Sequence, residues 1–308
     1  MKVGVEILNF GPGANPEAIL KWAQIIEILG YDSIMIADHV AITPSVTQRY
    51  PEPFYDTFAT LAWLAGQTKR VRLGTTVAVL PYRHPVLTAR LVANIDEFSG
   101  GRFVLGVGVG NAEEEFKVLG ANHPHRGSVA DEYLRIMYAL WNGARPVSFR
   151  GRHIQIDDVS PIRTAQQPRP PVWVGGNTER GMRRAVRYGD GWHPILWRNL
   201  TVDWARETGL PSLRRIAEAE GKPMPHFYPR IRLDIQDSPK PGEREPGTGS
   251  LDQVRGDLAA LEEMGAEHVT LDWYTGDLEA SKDHARGWQM IATLADKVLD
   301  LGRETVRG

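Results

Sequence analysis

The chain has no cysteine among its 308 residues. That excludes disulfides, thiolate-bound zinc, cysteine nucleophiles and CxxC redox chemistry together, so any electron transfer needs an organic cofactor. It has no excess of either charge: 36 basic against 38 acidic residues leave a formal charge of -2, the two signs mostly interspersed. No basic face for nucleic acid results, and a small-molecule partner is expected. Nor is there a run of about 18 apolar residues, and the N-terminal MKVGVEILNFGPG is too short for a signal core and alternates like a strand. The expectation is a cytoplasmic protein with no membrane partner.

What the sequence has is repetition of kind. Eight short apolar runs (Val3 to Leu8, Ser33 to Ala37, Val71 to Leu80, Phe103 to Val109, Val172 to Gly175, Gly191 to Ile195, Phe227 to Ile235 and His268 to Trp273) alternate with amphipathic stretches such as Pro16 to Leu29, Val86 to Phe98, Glu179 to Tyr188, Leu251 to Met264 and Ala280 to Leu301. Alternating βα units predict a parallel sheet, and eight of them an α/β fold of the (β/α)8 TIM-barrel kind, one domain over residues 1–308. Gly30, Gly100 and Gly265 follow helical stretches where a left-handed cap is needed. Two segments are too long for connectors: 110–171 after strand 4, expected as a mostly helical insertion, and the Pro/Gly-rich 237–250 after strand 7, read as a lid or a surface loop.

Five motifs carry candidate chemistry. Ala37-Asp38-His39 ends the second strand, where active sites of barrels are built, and an imidazole there suits a general acid or base; an N-cap and a packed histidine would look the same. In Leu73-Gly74-Thr75-Thr76-Val77, a glycine and two hydroxyls interrupt an apolar strand, which suits close approach of the backbone to a planar ring. Gly106, Gly108 and Gly110 have GxGxG spacing, not the GxGxxG of a dinucleotide fold; at alternate positions they share one face and leave room in the barrel mouth, with Asn111 beyond. The strand Val172-Trp173-Val174 ends in Gly175-Gly176 directly before a helix, which offers backbone N–H groups to an anion, or is a plain turn. Tyr50, Phe54, Tyr55 and Trp192 are candidate walls of a substrate pocket. Arg180, Arg183, Arg184 and Arg187 form a helical stripe, either a solvated face or a grip on an anionic tail. His123 and His125 have metal-ligand spacing but lie in the insertion, so no metal site is expected.

Taken in order, these stretches resemble the luciferase-like flavin and deazaflavin oxidoreductases, especially their F420-dependent branch. The carriers are Ala37-Asp38-His39-Val40, Leu73 to Val77 with Leu80 to Pro85, Asp96 to Arg102, Gly106 to Gly110, Arg126-Gly127 and Pro171 to Gly176. The resemblance implies hydride transfer between F420 and a small organic substrate. It implies Asp38 against the deazaflavin, His39 as proton donor or acceptor, and a non-prolyl cis peptide at Thr76-Val77. It also implies contacts to the cofactor from Thr75, Thr76, Val77, Gly108, Asn111, Val174, Gly175 and Gly176. The alternative it implies is an FMN-dependent two-component monooxygenase; a homodimer follows by the same analogy. The chain departs from the sugar-phosphate dehydrogenases of this branch at Asn111, where they carry a glutamate, and from FMN-using relatives in lacking an arginine near Val109.

Overall fold

The structure, a computed structural model, describes residues 1–307. Eight parallel strands close into a ring: β1 (Lys2–Ile7), β2 (Ser33–Ile36), β3 (Arg72–Thr75), β4 (Phe103–Gly108), β5 (Val172–Gly175), β6 (Gly191–His193 and Ile195–Leu196), β7 (His226–Phe227 and Arg230–Arg232) and β8 (His268–Asp272). β1 pairs with both β2 and β8, through Gly4 beside Ser33 and Lys2 beside His268. β6 and β7 are each interrupted by a proline, but the pairing runs through. Gly191 lies beside His226 and Ile195 beside Arg230, while Pro194 and Pro229 keep accepting through their carbonyls from Arg230 and Thr270. A proline removes a donor but not an acceptor, so the ring closes at the cost of two short breaks.

The helices are α1 (Pro16–Leu29), α2 (Thr57–Gln67), α3 (Pro85–Ser99), α4 (Arg126–Asn142), α5 (Glu179–Tyr188), α6 (Leu210–Ala219), α7 (Leu251–Glu263) and α8 (His284–Lys297). Their boundaries follow local chemistry. Asn15 caps α1 by accepting from Ala18 N, Pro16 occupies its first turn, and Gly30 ends it in the left-handed conformation. Strand alternation sorts the core: Val3, Val5, Ile7, Ile34, Ile36, Leu105, Val107, Val172 and Val174 join one large apolar cluster, while Met35, Val104 and Trp173 fill the lower barrel interior beside Tyr228.

Two expectations change. α4 packs against α3 as the barrel's fourth helix, so what is inserted in 110–171 is the short helix Glu113–Val118 and a two-stranded hairpin, Val147–Arg150 with Gln155–Val159. Its strands are too short and polar to signal in the sequence. The segment 237–250 is anchored to α7: Arg244 Nη2 donates to Asp257 at 2.8 Å, Gly247 N to the same carboxylate at 2.7 Å, and Gln253 bonds Lys240. Glu245 reaches toward the barrel mouth, 3.5 Å from Arg232, and accepts from Arg198 N at 3.1 Å.

Candidate active site

A cavity of about 580 Å³ opens at the C-terminal ends of the strands, within the usual range for small-molecule sites. Residues from the ends of seven strands line it. Asp38-His39 and Gly175-Gly176 stand on its wall together with Thr76, Val77, Gly108 and Asn111. The loops after the second, third, fourth and fifth strands therefore converge on one slot.

His39 is held by a residue from the insertion. Its Nδ1 lies 2.8 Å from Glu115 Oε2, on the short helix Glu113–Val118. Glu115 is fully buried and also accepts from Val40 N at 2.6 Å, Ala41 N at 3.1 Å and the Tyr82 hydroxyl at 2.9 Å. Burial works to raise the pKa of this carboxyl, but the hydrogen bonds from His39 and Val40 outweigh it and hold it below the usual range. An ionised carboxylate only accepts, so the proton of neutral His39 sits on Nδ1 and its Nε2 carries the lone pair. Among the described residues Nε2 has no protein partner, and the ring, 15% exposed, lies on the cavity wall. Tyr50 packs over the imidazole with ring centres 4.7 Å apart.

Asp38 lies on the cavity wall, as a ring contact would, and also has a structural part. Its carboxylate accepts two bonds from Arg83 at 2.8 and 2.9 Å, one from Thr57 Oγ1 at 3.1 Å and one from Val79 N at 2.9 Å. With these sites taken, Asp38 ties the second strand end to the third and sets the position of His39. It meets a ligand only as part of the wall.

The β3 break forms the floor. The Thr76–Val77 peptide is cis, as the resemblance implied. Val77 overlies the glycines of β4 and β5: a Cβ on Gly108 would stand 2.5 Å from Val77 Cγ2, and one on Gly175 3.3 Å from Val77 Cγ1. The space the glycines leave is thus filled first by Val77, which presents a flat apolar floor. Thr76 is clamped from below. Its hydroxyl is 2.9 Å from His193 Nε2, and its carbonyl accepts from Arg230 at 3.1 Å. His193 donates its Nδ1 proton to Tyr228 O at 2.6 Å, and burial pushes its pKa down to about 3, so it stays neutral and structural.

Beneath lies a buried ionic group that sequence reading missed. Arg230 donates to Asp272 at 2.7 Å, as does Arg232 at 2.9 Å, and Arg230 Nη2 comes within 2.7 Å of Glu6 Oε2 without aligning for a hydrogen bond. Burial pushes Glu6 up to about 8, against the pull of Arg230. The alternation of β1, β7 and β8 places these residues inward, a signal present in the sequence but masked by its resemblance to ordinary surface charge.

Four expected contacts are corrected. Thr75 is buried with its hydroxyl 2.5 Å from Gly106 O, and Val174 is buried in the cluster between sheet and helices; both side chains point outward because alternation assigns the inward places to their neighbours. Trp192 is fully buried against Phe227 and Trp204 for the same reason, and its Nε1 donates to Gly176 O at 2.8 Å, bracing the glycine turn from behind. Tyr55 is half-buried and outside the cavity wall, its backbone tied to Asn9 on both sides. Three arginines of the stripe are spent on helix contacts, Arg183 and Arg187 binding Glu220 and Arg184 binding Asp131, and Arg180 is exposed. His123 packs on Phe116 and His125 on His153.

Residues 1–238 match the family described as luciferase-like monooxygenase. The chain belongs to that family. A curated relative, an F420-dependent glucose-6-phosphate dehydrogenase of Kineococcus radiotolerans, is 31% identical over 218 residues, 70% of this chain and 61% of that one. The chain spans about six-tenths of the length of the curated relatives it matches. Two solved structures share the fold. An F420-dependent secondary alcohol dehydrogenase in complex with an F420-acetone adduct gives a TM-score of 0.76 at 18% identity, covering 95% of this chain and 98% of that one. The oxygenating constituent of 3,6-diketocamphane monooxygenase from Pseudomonas putida, in complex with FMN, gives 0.75 at 18% identity, covering 96% and 97%. Among the described residues no helix is long and apolar enough to cross a membrane.

Proposed function

We propose that the protein is an F420-dependent oxidoreductase that moves a hydride between the deazaflavin and a small organic substrate, with His39 as the proton carrier. The observation that carries this reading is the Glu115–His39 pair: a fixed imidazole whose Nε2 alone is open to the cavity, beside the Val77 floor. When bound, F420 supplies the carbon that gives or takes the hydride.

The cavity fits such a group. Val77, Gly108 and Gly175 form a shelf that side chains in place of the glycines would disrupt. Gly176 has a φ of 120°, open to glycine, and Thr178 caps α5 by accepting from Gly181 N at 3.2 Å, so the first turn of α5 begins at the cavity edge. The N–H groups of that turn and its dipole suit an anionic linkage. Among the described residues no arginine lines the β4–β5 arc of the wall, Arg126 standing behind it with its Nε on Gly110 O at 3.1 Å; the cationic lining comes from β7 and from the crossover after β2. A phosphodiester, with its single charge, suits that arc better than the phosphomonoester of FMN.

Each residue then has a task. The floor and the glycine turn orient the ring, and Tyr50 covers the imidazole. Glu115 holds the tautomer that leaves Nε2 free to take a proton from the substrate in oxidation, and the resulting imidazolium returns it in reduction. A homodimer through the outer helices belongs to the same reading, supported by exposed Ile28, Trp63, Leu87 and Phe98 on α1, α2 and α3; light scattering measures it.

The test is titration of the purified protein with F420 and with FMN, each oxidised and reduced. Tighter binding of F420, with no oxygen uptake, supports the proposal. Tight binding of reduced FMN with rapid oxygen uptake would replace it by the monooxygenase.

A further inference from the structure

The cavity wall carries three arginines, and they are not equivalent. Arg230 is committed to Thr76 O and Asp272 and lies against Glu6. Arg232 shares Asp272 and stands 3.5 Å from Glu245. Arg49, from the crossover after β2, has neither kind of partner. Among the described residues no carboxylate lies within 4 Å of its guanidinium, none of the guanidinium nitrogens makes a hydrogen bond, and its Nε is buried without a partner.

Yet Arg49 is held in place. Its guanidinium lies over the Trp197 ring at 4.3 Å and over Tyr50 at 5.5 Å, and its carbonyl accepts from the Tyr274 hydroxyl at 2.8 Å. Arg232 approaches the same indole at 5.8 Å, so two guanidiniums converge on Trp197 inside the cavity. Arg198 also lies over that ring, at 4.4 Å, but is exposed and outside the wall. A buried guanidinium nitrogen without an acceptor is costly, and Arg is the residue whose planar fork matches an oxyanion in two-point contact. The charge count points the same way. Burial pushes Glu6 well above the usual carboxylate range and so weakens it as a counterion, which leaves Asp272 as the main buried carboxylate facing these cations, with Glu245 at the rim.

We propose that Arg49, assisted by Arg232, binds a carboxylate on the substrate, whose planar apolar body lies along Trp197 and Tyr50. This names a substrate class for the cavity proposed above and rests on that reading. The glycine turn and first turn of α5 receive the cofactor's anionic linkage, while Arg49, Trp197 and Arg232 select the molecule that faces the ring.

The experiment uses benzoate as the probe and benzamide as its neutral isostere, titrated by calorimetry against the full chain, alone and saturated with F420. Arg49→Gln and Arg49→Lys are compared, with circular dichroism to verify folding. The expected result is benzoate bound at least tenfold more tightly than benzamide, that preference lost in Arg49→Gln and partly kept in Arg49→Lys, and F420 affinity within twofold of the parent in both. Equal binding of the two probes overturns the proposal, as does unchanged benzoate affinity in Arg49→Gln. So does a tenfold loss of F420 affinity in that variant, because Arg49 would then hold the cofactor. Failure of the wild type to bind F420 or FMN sinks the cofactor reading instead, while the benzoate preference still reports the anion site.

Discussion

Glu115 Oε2 lies 2.8 Å from His39 Nδ1 although 76 residues separate them. The contact joins the end of β2 to the short helix of the insertion and fixes the ring of a histidine that could equally be a packed one, the geometry on which its proposed role as proton carrier rests. Glu115 acts through His39, so their losses should not add. His39→Ala is expected to lower turnover about 10²-fold or more with cofactor affinity nearly unchanged, and Glu115→Gln to lower it less. The double variant should be no slower than His39→Ala, measured by single-turnover cofactor absorbance. Glu115→Ala should also cost about 3 kcal/mol of stability, since it strands Val40 N, Ala41 N and the Tyr82 hydroxyl.

Val77 and Gly108 should behave as one unit. Gly108→Ala sets a methyl 2.5 Å from Val77 Cγ2, a side chain that can be trimmed, and should weaken cofactor binding at a stability cost of about 1–3 kcal/mol. Val77→Ala in the same chain should restore part of both. Gly106→Ala offers no such rescue, because its Cβ would stand 1.9 Å from the Thr75 carbonyl. Denaturant melts and cofactor titrations of the three variants distinguish these outcomes.

Glu6 makes stability depend on pH. Its folded pKa, near 8, lies above the ordinary 4.5, so the folded state holds the proton more tightly than the unfolded chain. The stabilisation is complete below about pH 4.5 and is lost as pH rises toward 8. Glu6→Gln, which keeps the shape and cannot ionise, should remove this loss, so its stability relative to the parent should improve between those pH values. Urea unfolding at pH 5 and pH 8 measures it; a parent-to-variant difference constant across that range would contradict the assignment.

Trp192 supports the glycine turn without facing the cavity. Trp192→Phe deletes the donor to Gly176 O and should cost about 1–2 kcal/mol. Cofactor affinity should fall several-fold and substrate preference should not move. A changed preference with unchanged affinity would mean that the indole faces the substrate.

The readable parts of the site were those with local signatures. Gly108 alternates with buried Val107, and Asp38-His39 sits where a strand ends, so alternation and strand-end position placed them on the cavity wall, whereas Gly106 lies deeper, its inward face closed by the Thr75 carbonyl. The same alternation, applied to β6, assigns Trp192 outward because His193 faces in. Arg49 and Glu115 carried no local mark, and the alternation that turns Glu6 inward on β1 was masked because an acidic residue in a strand ordinarily faces solvent.

The sequence alone determined the succession of eight strands, the caps that bound the helices and the order of motifs around the mouth, because these follow from short-range sterics and hydrogen bonding. Tertiary structure decided what those motifs do. Closing the ring brought Glu115 to His39, turned Asp38 onto Arg83, laid Val77 over Gly108 and left Arg49 without a counterion, and each of these depends on which distant groups reach a buried atom first.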